Sequence, residues 1–216
     1  METKLTWPSQ RSTTPEGVYG VLRAAILDGT LPPGGQLREV QIAEDLGISR
    51  SPLREALPRL EEEGLVVKVP FRGRFVAKVD PREISDMAAL RLLLEPYAAQ
   101  LSFEALRGQQ RPMLLQIMEQ LHRAADENDI PASIDAHLRF HGLFYDFSGN
   151  DVLRSLWNSW ETRLRLYLAA DHRAYEDLHD VAVEHQRLAD IALEGDIDRF
   201  RDELANHFPL ALRHGT

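Results

Sequence analysis

Residues 46–65 read LGISRSPLREALPRLEEEGL, and this stretch decides the fold of the first third of the chain. Gly47 marks a turn and Ser49 stands where a helix N-cap is expected. Pro52 falls in the first helical turn, where a missing N–H has no intrahelical partner to lose. Arg50 and Arg54 are four residues apart, so one helical face carries two guanidiniums in its opening turns. Leu53, Ala56, Leu57 and Leu60 supply an apolar stripe behind them. A helix packed along its back, with cations at its N-terminal end, has the layout of a helix-turn-helix recognition helix, which enters a major groove by its first residues.

On either side the pattern continues. Residues 16–28 place Val18, Leu22, Ala25 and Ile26 at helical spacing, and GTLPPGGQ then breaks the helix. Residues 39–46 predict a second helix with Ile42, Ala43 and Leu46 inward. Downstream, LVVKVPFRGRFVAKV (65–79) reads as two strands joined by a tight turn with Gly73 near its tip. Three helices and a basic hairpin predict a winged helix-turn-helix over 15–79, preceded by a flexible polar arm at 1–14. Asp80-Pro81 is the expected boundary, since a residue before proline is pushed out of helical geometry. From Arg82 onward only helical periodicity is present, with helices expected near 83–107, 112–128, 131–148, 150–170, 174–194 and 196–213. The fold class is therefore mainly α: a winged helix-turn-helix, then an all-α antiparallel bundle of about six helices over 80–216.

A formal net charge of −9 looks wrong for a nucleic-acid binder until it is divided along the chain. The three segments carry +1, 0 and −10 in order. No acid occurs between Gly64 and Val79, an interval that holds Lys68, Arg72, Arg74 and Lys78. Screening over about 8–10 Å lets such a strip hold phosphates despite distant acidity. The absence of cysteine excludes disulfides and thiolate zinc sites and points to a reducing cytoplasm. No apolar run approaches the roughly 20 residues that span a bilayer, so no membrane partner is expected.

Four of the eight histidines fall on inward stripes. His137 and His141 share a face with Ile134, Leu138, Phe144 and Tyr145. His185 lies among Leu178, Val181, Ala182, Leu188 and Ala189, and His207 among Phe200, Leu204 and Ala211. At about 1.5 Å of rise per residue, His185 and His207 lie roughly 15 and 18 Å from the turn at Gly195, hence at matched height in a helical hairpin. Four inward imidazoles at one level of a bundle would hold a divalent metal; the alternative is a set of satisfied core histidines. His122, His172, His179 and His214 lie off the stripes and are expected in solvent.

The chain resembles the GntR family of bacterial transcription regulators, in its FadR-like branch with an all-helical FCD effector domain. The resemblance covers about residues 16–213. It rests on VYGVLRAAILDGTLPPGGQL, IAEDLGISRSPLREAL, LEEEGLV and PFRGRFV in the first half. In the second half it rests on Arg91-Leu-Leu-Leu-Glu95, Phe140-His141, Ser148-Gly149-Asn150, and Glu184-His185 followed by His207.

The resemblance implies a dimer on a palindromic double-stranded operator. DNA contacts would come from Ser49, Arg50, Ser51 and Arg54 and from the wing at Arg72, Gly73 and Arg74. It implies a metal site of the form Asp-x-x-x-His with two later histidines. His141, His185 and His207 match, His137 replaces the Asp, and Asp135 is out of phase. A four-His site, a three-His site and a metal-free site remain open. Exchanging carboxylate for imidazole favours Zn or Ni. A small carboxylate effector would occupy open coordination positions, with Arg91 either clamping it or pairing with Glu95. Arg54 could instead pair with Glu55 or Glu61. Two departures from the family pattern are Val40, often arginine in relatives, and Pro58 inside the recognition helix, where a kink is expected.

The alternatives are a metal-free member of the same family sensing an acyl chain, and a di-iron bundle enzyme. The enzyme would use the pairs Glu119/His122 and Glu176/His179, but no inward glutamates accompany them. A regulator, not an enzyme, is the favoured reading.

Overall fold

The computed structural model describes residues 13–78, 80–172 and 175–207. The chain divides into two compact units between Lys78 and Val79.

In the first unit, α1 (Pro15–Leu27) begins on Thr14, whose hydroxyl accepts from the Gly17 N–H at 3.2 Å. α2 (Glu39–Leu46) ends at Gly47, which takes the left-handed φ of 65° that a sharp helix exit requires. α3 (Arg50–Glu62) follows, with Pro52, Leu53, Ala56, Leu57 and Leu60 buried. Leu22, Leu53, Leu57, Leu60 and Leu65 are fully enclosed and form the centre of this unit. Glu63, just past α3, accepts from Tyr19 Oη at 2.7 Å and from Arg23 Nε at 2.9 Å, which ties the end of α3 to α1.

α3 runs through Pro58 without interruption. The proline removes the donor for the Arg54 carbonyl, yet it lies on the exposed side, where water can satisfy that oxygen. Ser49 holds the N-cap position, but its side chain makes no capping hydrogen bond, contrary to expectation.

The wing is a three-stranded antiparallel sheet in the order β1-β3-β2. β2 (Val66–Val69) pairs with β3 (Gly73–Val76), Val66 facing Val76 and Val69 facing Gly73. The short β1 (Gln36–Leu37), not anticipated in the sequence, adds to the other edge of β3. Gly73 opens β3 at φ 103°; the turn's outermost residue is Phe71.

The described part of the second unit holds six helices: α4 (Pro81–Arg107), α5 (Arg111–Asp126), α6 (Ile130–Asp146), α7 (Asp151–His172), α8 (Leu178–Glu194) and α9 (Ile197–His207). The expected continuation to 213, like His214, lies outside the described residues. α6 packs against α4, α5, α7 and α8. It is buried nearly all round, from Ser133 to Tyr145, as a helix at the centre of a bundle must be. Gly142 permits the close approach of α7: a Cβ there would stand 3.0 Å from Trp157 Nε1. Tyr145 stacks on the same indole at 4.8 Å. Gly195, at φ 95°, turns α8 into α9.

Candidate functional site

The first unit gathers its cations at the start of α3 and along the wing. Arg50, exposed and without an ion-pair partner among the described residues, lines a shallow groove with Arg38, Val40, Lys68 and Gly73. Arg54 does not pair with Glu55 or Glu61. Its Nε donates to Glu39 at 2.9 Å, while Nη1 of Arg74 reaches the other oxygen of the same carboxylate at 2.9 Å. Arg74 also pairs with Glu61. One residue of α2 therefore ties the recognition helix to the wing. Ser51 donates to Glu55 at 3.3 Å, and Arg72 lies 5.9 Å from the Phe75 ring.

The second unit brings His137, His141 and His185 together, one nitrogen of each lying within 4.8 Å of the others. The rings are oriented by neighbours. Nδ1 of His185 bonds the Val181 carbonyl at 2.7 Å, and Nδ1 of His141 bonds Glu95. A neutral imidazole has one N–H, so Nδ1–H donation leaves both Nε2 atoms as lone pairs. With Glu95 ionised by its pairing with Arg91, both of these atoms present lone pairs, 3.1 Å apart. Nitrogens about 2.05 Å from one tetrahedral ion stand about 3.3 Å apart. Two acceptors aimed at a common point fit a cation, and the carboxylate–histidine pairing is the support that metal-bound imidazoles usually have.

Glu95 is fully enclosed. Burial raises its carboxyl pKa, an effect opposed by Arg91, whose Nε and Nη2 donate to it at 3.1 and 2.9 Å. Arg91 thus takes the Glu95 pairing while still lining the cavity. Burial likewise pushes His137, His141 and His185 well below the usual histidine value, holding them neutral and ready to bind.

His207 joins at the end of α9, its ring 4.6 Å from that of His185 and 5.4 Å from that of His141, and burial lowers its pKa to about 3. It stands beside the triad, outside the closest group. Asp135, out of phase as expected, pairs with Arg165.

The expectation for His172 is overturned. It is 1% exposed, and its Nε2 lies 3.3 Å from Nδ1 of His137. Its own Nδ1 is buried with no hydrogen-bond partner, and burial lowers its pKa to about 4. The signal was present in the sequence: Leu164, Leu168 and His172 repeat every four residues, and α7 extends far enough to include the third. By contrast, His122 bonds Gln186 and His179 sits between Asp126 and Asp177, both on the bundle's outer side. The cavity among the histidines has a volume of about 50 Å³ and is also lined by Tyr167, Asp171, Tyr175 and Glu184.

Comparison with known proteins accounts for both units. Residues 14–76 match the bacterial regulatory proteins of the gntR family, and residues 86–209 match the FCD domain. The HTH-type transcriptional regulator YdhC of Bacillus subtilis is 27% identical over 198 residues, covering 88% of this chain and 85% of its own. McbR of Escherichia coli, another HTH-type transcriptional regulator, is 31% identical over 125 residues, 58% of this chain and 57% of its own. The solved structure of E. coli McbR/YncC has the same fold, with a TM-score of 0.65 at 24% identity, covering 92% of this chain and 95% of that one. A putative GntR regulator from Rhodococcus sp. RHA1 gives 0.64 at 22% identity, covering 93% and 98%. No helix among the described residues is long and apolar enough to cross a membrane. With a gntR-type DNA-binding unit followed by an FCD domain that alone spans more than half of its length, the chain belongs to the GntR family of transcriptional regulators.

Proposed function

We propose that the protein is a metal-dependent sensor of a small carboxylate, binding a palindromic operator as a homodimer through Ser49, Arg50, Ser51, Arg54 and the wing residues Arg72, Gly73 and Arg74. The observation that carries the metal reading is the pair of Nε2 atoms of His141 and His185, each made a lone pair by its own Nδ1 partner and set 3.1 Å apart. His137 supplies the third nitrogen, and His207 stands near enough to become the fourth. An all-imidazole donor set favours Zn or Ni. When bound, the metal would supply positive charge and, with His207 standing off the triad, an open position for an effector oxygen.

The remaining roles belong to the chain itself. Arg91 holds Glu95, and Glu95 orients His141. In this reading Arg91 meets the effector only by exchanging one carboxylate for another. A water needs about 10–15 Å³ of such space, so a cavity of about 50 Å³ suits an ion with a few waters or a small acid, not a long acyl chain. Dimerisation is assigned to α4, where Leu90, Leu93, Tyr97 and Leu101 form an exposed apolar stripe at helical spacing. Effector binding would shift the population of arrangements of the two DNA-reading units, and so operator affinity.

Calorimetric titration of chelator-stripped protein with Zn²⁺ and Ni²⁺ tests the centre of this reading. One tight site per chain, lost in His141→Ala and in His185→Ala, is expected. Absence of binding in the folded wild-type chain refutes it. A panel of mono-, di- and tricarboxylates, each titrated with and without the metal, then tests the effector class.

A further inference from the structure

The wing ends in a residue that neither the basic strip nor the apolar core accounts for. Val69, Pro70, Phe71 and Arg72 form a four-residue turn closed by Arg72 N–H donating to the Val69 carbonyl at 3.1 Å. Pro70 fits the second position of such a turn. The third position, at φ 61°, is Phe71. A type II turn demands positive φ there, which is why glycine or asparagine normally fills it. The other described non-glycine residue with positive φ is Asn128, a type that tolerates this region. A bulky aromatic does not, because its Cβ crowds the following carbonyl.

Neighbours hold Phe71 in place. Gln36 Nε2 donates to the Arg72 carbonyl at 2.9 Å, so β1 braces the turn from the side. The phenylalanine side chain gains no burial from this arrangement: at 109% relative exposure it stands clear of the described residues. A strained, fully exposed aromatic at the tip of a DNA-reading hairpin is costly in the free protein, and strain of this kind is usually retained for function.

The geometry points to Phe71 as an apolar wedge that enters the minor groove beside the major groove read by α3 and partly unstacks one base step. The occupant is double-stranded DNA. The tip is flanked by Lys68 and Arg72, whose charges suit the phosphates bordering a groove, and the unit carrying it matches the gntR DNA-binding family. Apolar side chains inserted between base pairs kink the duplex, and flexible pyrimidine–purine steps yield most readily. The wedge therefore adds a preference for TA or CA/TG at a position where no base edge is read. This rests on the DNA-binding reading of the first unit and extends it to a residue that the arginine contacts leave out.

The experiment uses the full chain and the tightest duplex that the wild-type protein recovers from a random pool. Phe71→Asn suits the turn and removes the wedge. It is expected to raise the unfolding midpoint, weaken binding to that duplex at least tenfold, and abolish bending in a gel-phasing assay. The slope of log affinity against log salt stays unchanged, because no phosphate contact is lost. Phe71→Leu keeps an apolar wedge and retains most of the affinity and bend. Replacing the flexible step with a stiff A-tract weakens the wild type but not Phe71→Asn. Wild-type affinity and bend in Phe71→Asn would overturn the proposal, as would a loss of affinity that simply follows a loss of stability. Failure of the underlying DNA reading is seen separately, as specific binding unaffected by Arg50→Ala and Arg54→Ala.

Discussion

His141 and His185, 44 residues apart in sequence, present their Nε2 atoms to each other at 3.1 Å. Behind each ring Nδ1 has an oxygen partner: Glu95 for His141 and the Val181 carbonyl for His185. Glu95→Gln keeps the shape but removes the charge that strengthens His141 as a donor. Zinc affinity is expected to fall about 10- to 100-fold, measured by competition with a fluorescent chelator. Glu95→Ala is a poorer probe, because removing the carboxylate that pairs with the buried Arg91 guanidinium is expected to cost about 3–5 kcal/mol of stability.

His172 offers a sharper separation of binding from folding. It supports His137 through the 3.3 Å contact, yet leaves its own Nδ1 buried without a partner. His172→Leu removes both. Metal affinity should drop by a similar factor of about 10–100. The stability of the metal-free chain should hold or rise, since an unsatisfied buried polar group is replaced by an apolar one. Denaturant titration beside metal titration checks both halves.

The pH dependence of the metal-free chain has a definite sign. In the unfolded chain histidine titrates near 6.5, whereas in the folded chain burial lowers His172 to about 4 and His207 to about 3. Between those values the unfolded chain binds more protons, so stability is lost as pH falls below about 6.5 and is unaffected by these groups above it. For His172 alone the loss is on the order of 3 kcal/mol by pH 4. His179 works the other way: its bonds to Asp126 and Asp177 raise its pKa, so its small contribution is present at low pH and fades as pH rises through the raised value. Thermal melts from pH 8 to pH 4, with and without Zn²⁺, give the curve. A flat profile would contradict the neutral buried cluster.

On the DNA side, Arg50→Ala and Arg54→Ala should each cost about 1–3 kcal/mol of operator binding if they read base edges. If Lys68 holds a phosphate, Lys68→Ala should weaken all duplexes alike and reduce the salt slope by about one. Fluorescence anisotropy at several salt concentrations distinguishes the two behaviours.

Leu93 is the most exposed member of the α4 stripe. Leu93→Glu places a charge at the centre of the proposed dimer face, and sedimentation should show the assembly shifting to single chains. An unchanged mass would move the dimer interface elsewhere.

Much of this was legible from helical period alone. The stripes of α6 and α8 placed His137, His141 and His185 inward, and the structure brings them together. His172 escaped because the helix was expected to stop near residue 170, two residues short of it. The role of Glu95 was half visible: its pairing with Arg91 is local, at i and i+4, but its bond to His141 spans 46 residues and no periodicity encodes it. β1 was missed for a related reason, being two residues long and paired with β3 across two helices and a strand. Phe71 escaped because residue type argues against the backbone it adopts.

The carboxylate of Glu39, gripped by Arg54 from one side and Arg74 from the other, bears on how the protein meets DNA. In the proposed complex it would act as an internal template, its two oxygens holding the guanidiniums where acceptors of the duplex would later hold them. Arg74, largely buried between Glu39 and Glu61, is already posed, so most of its side-chain entropy is spent during folding; the exposed Arg54 is held less firmly. In that complex a duplex would have to displace a resident anion to claim the two guanidiniums. The exchange penalises a loosely seated backbone and tolerates a well-fitted one, so a single glutamate can make the protein harder to please without touching a base.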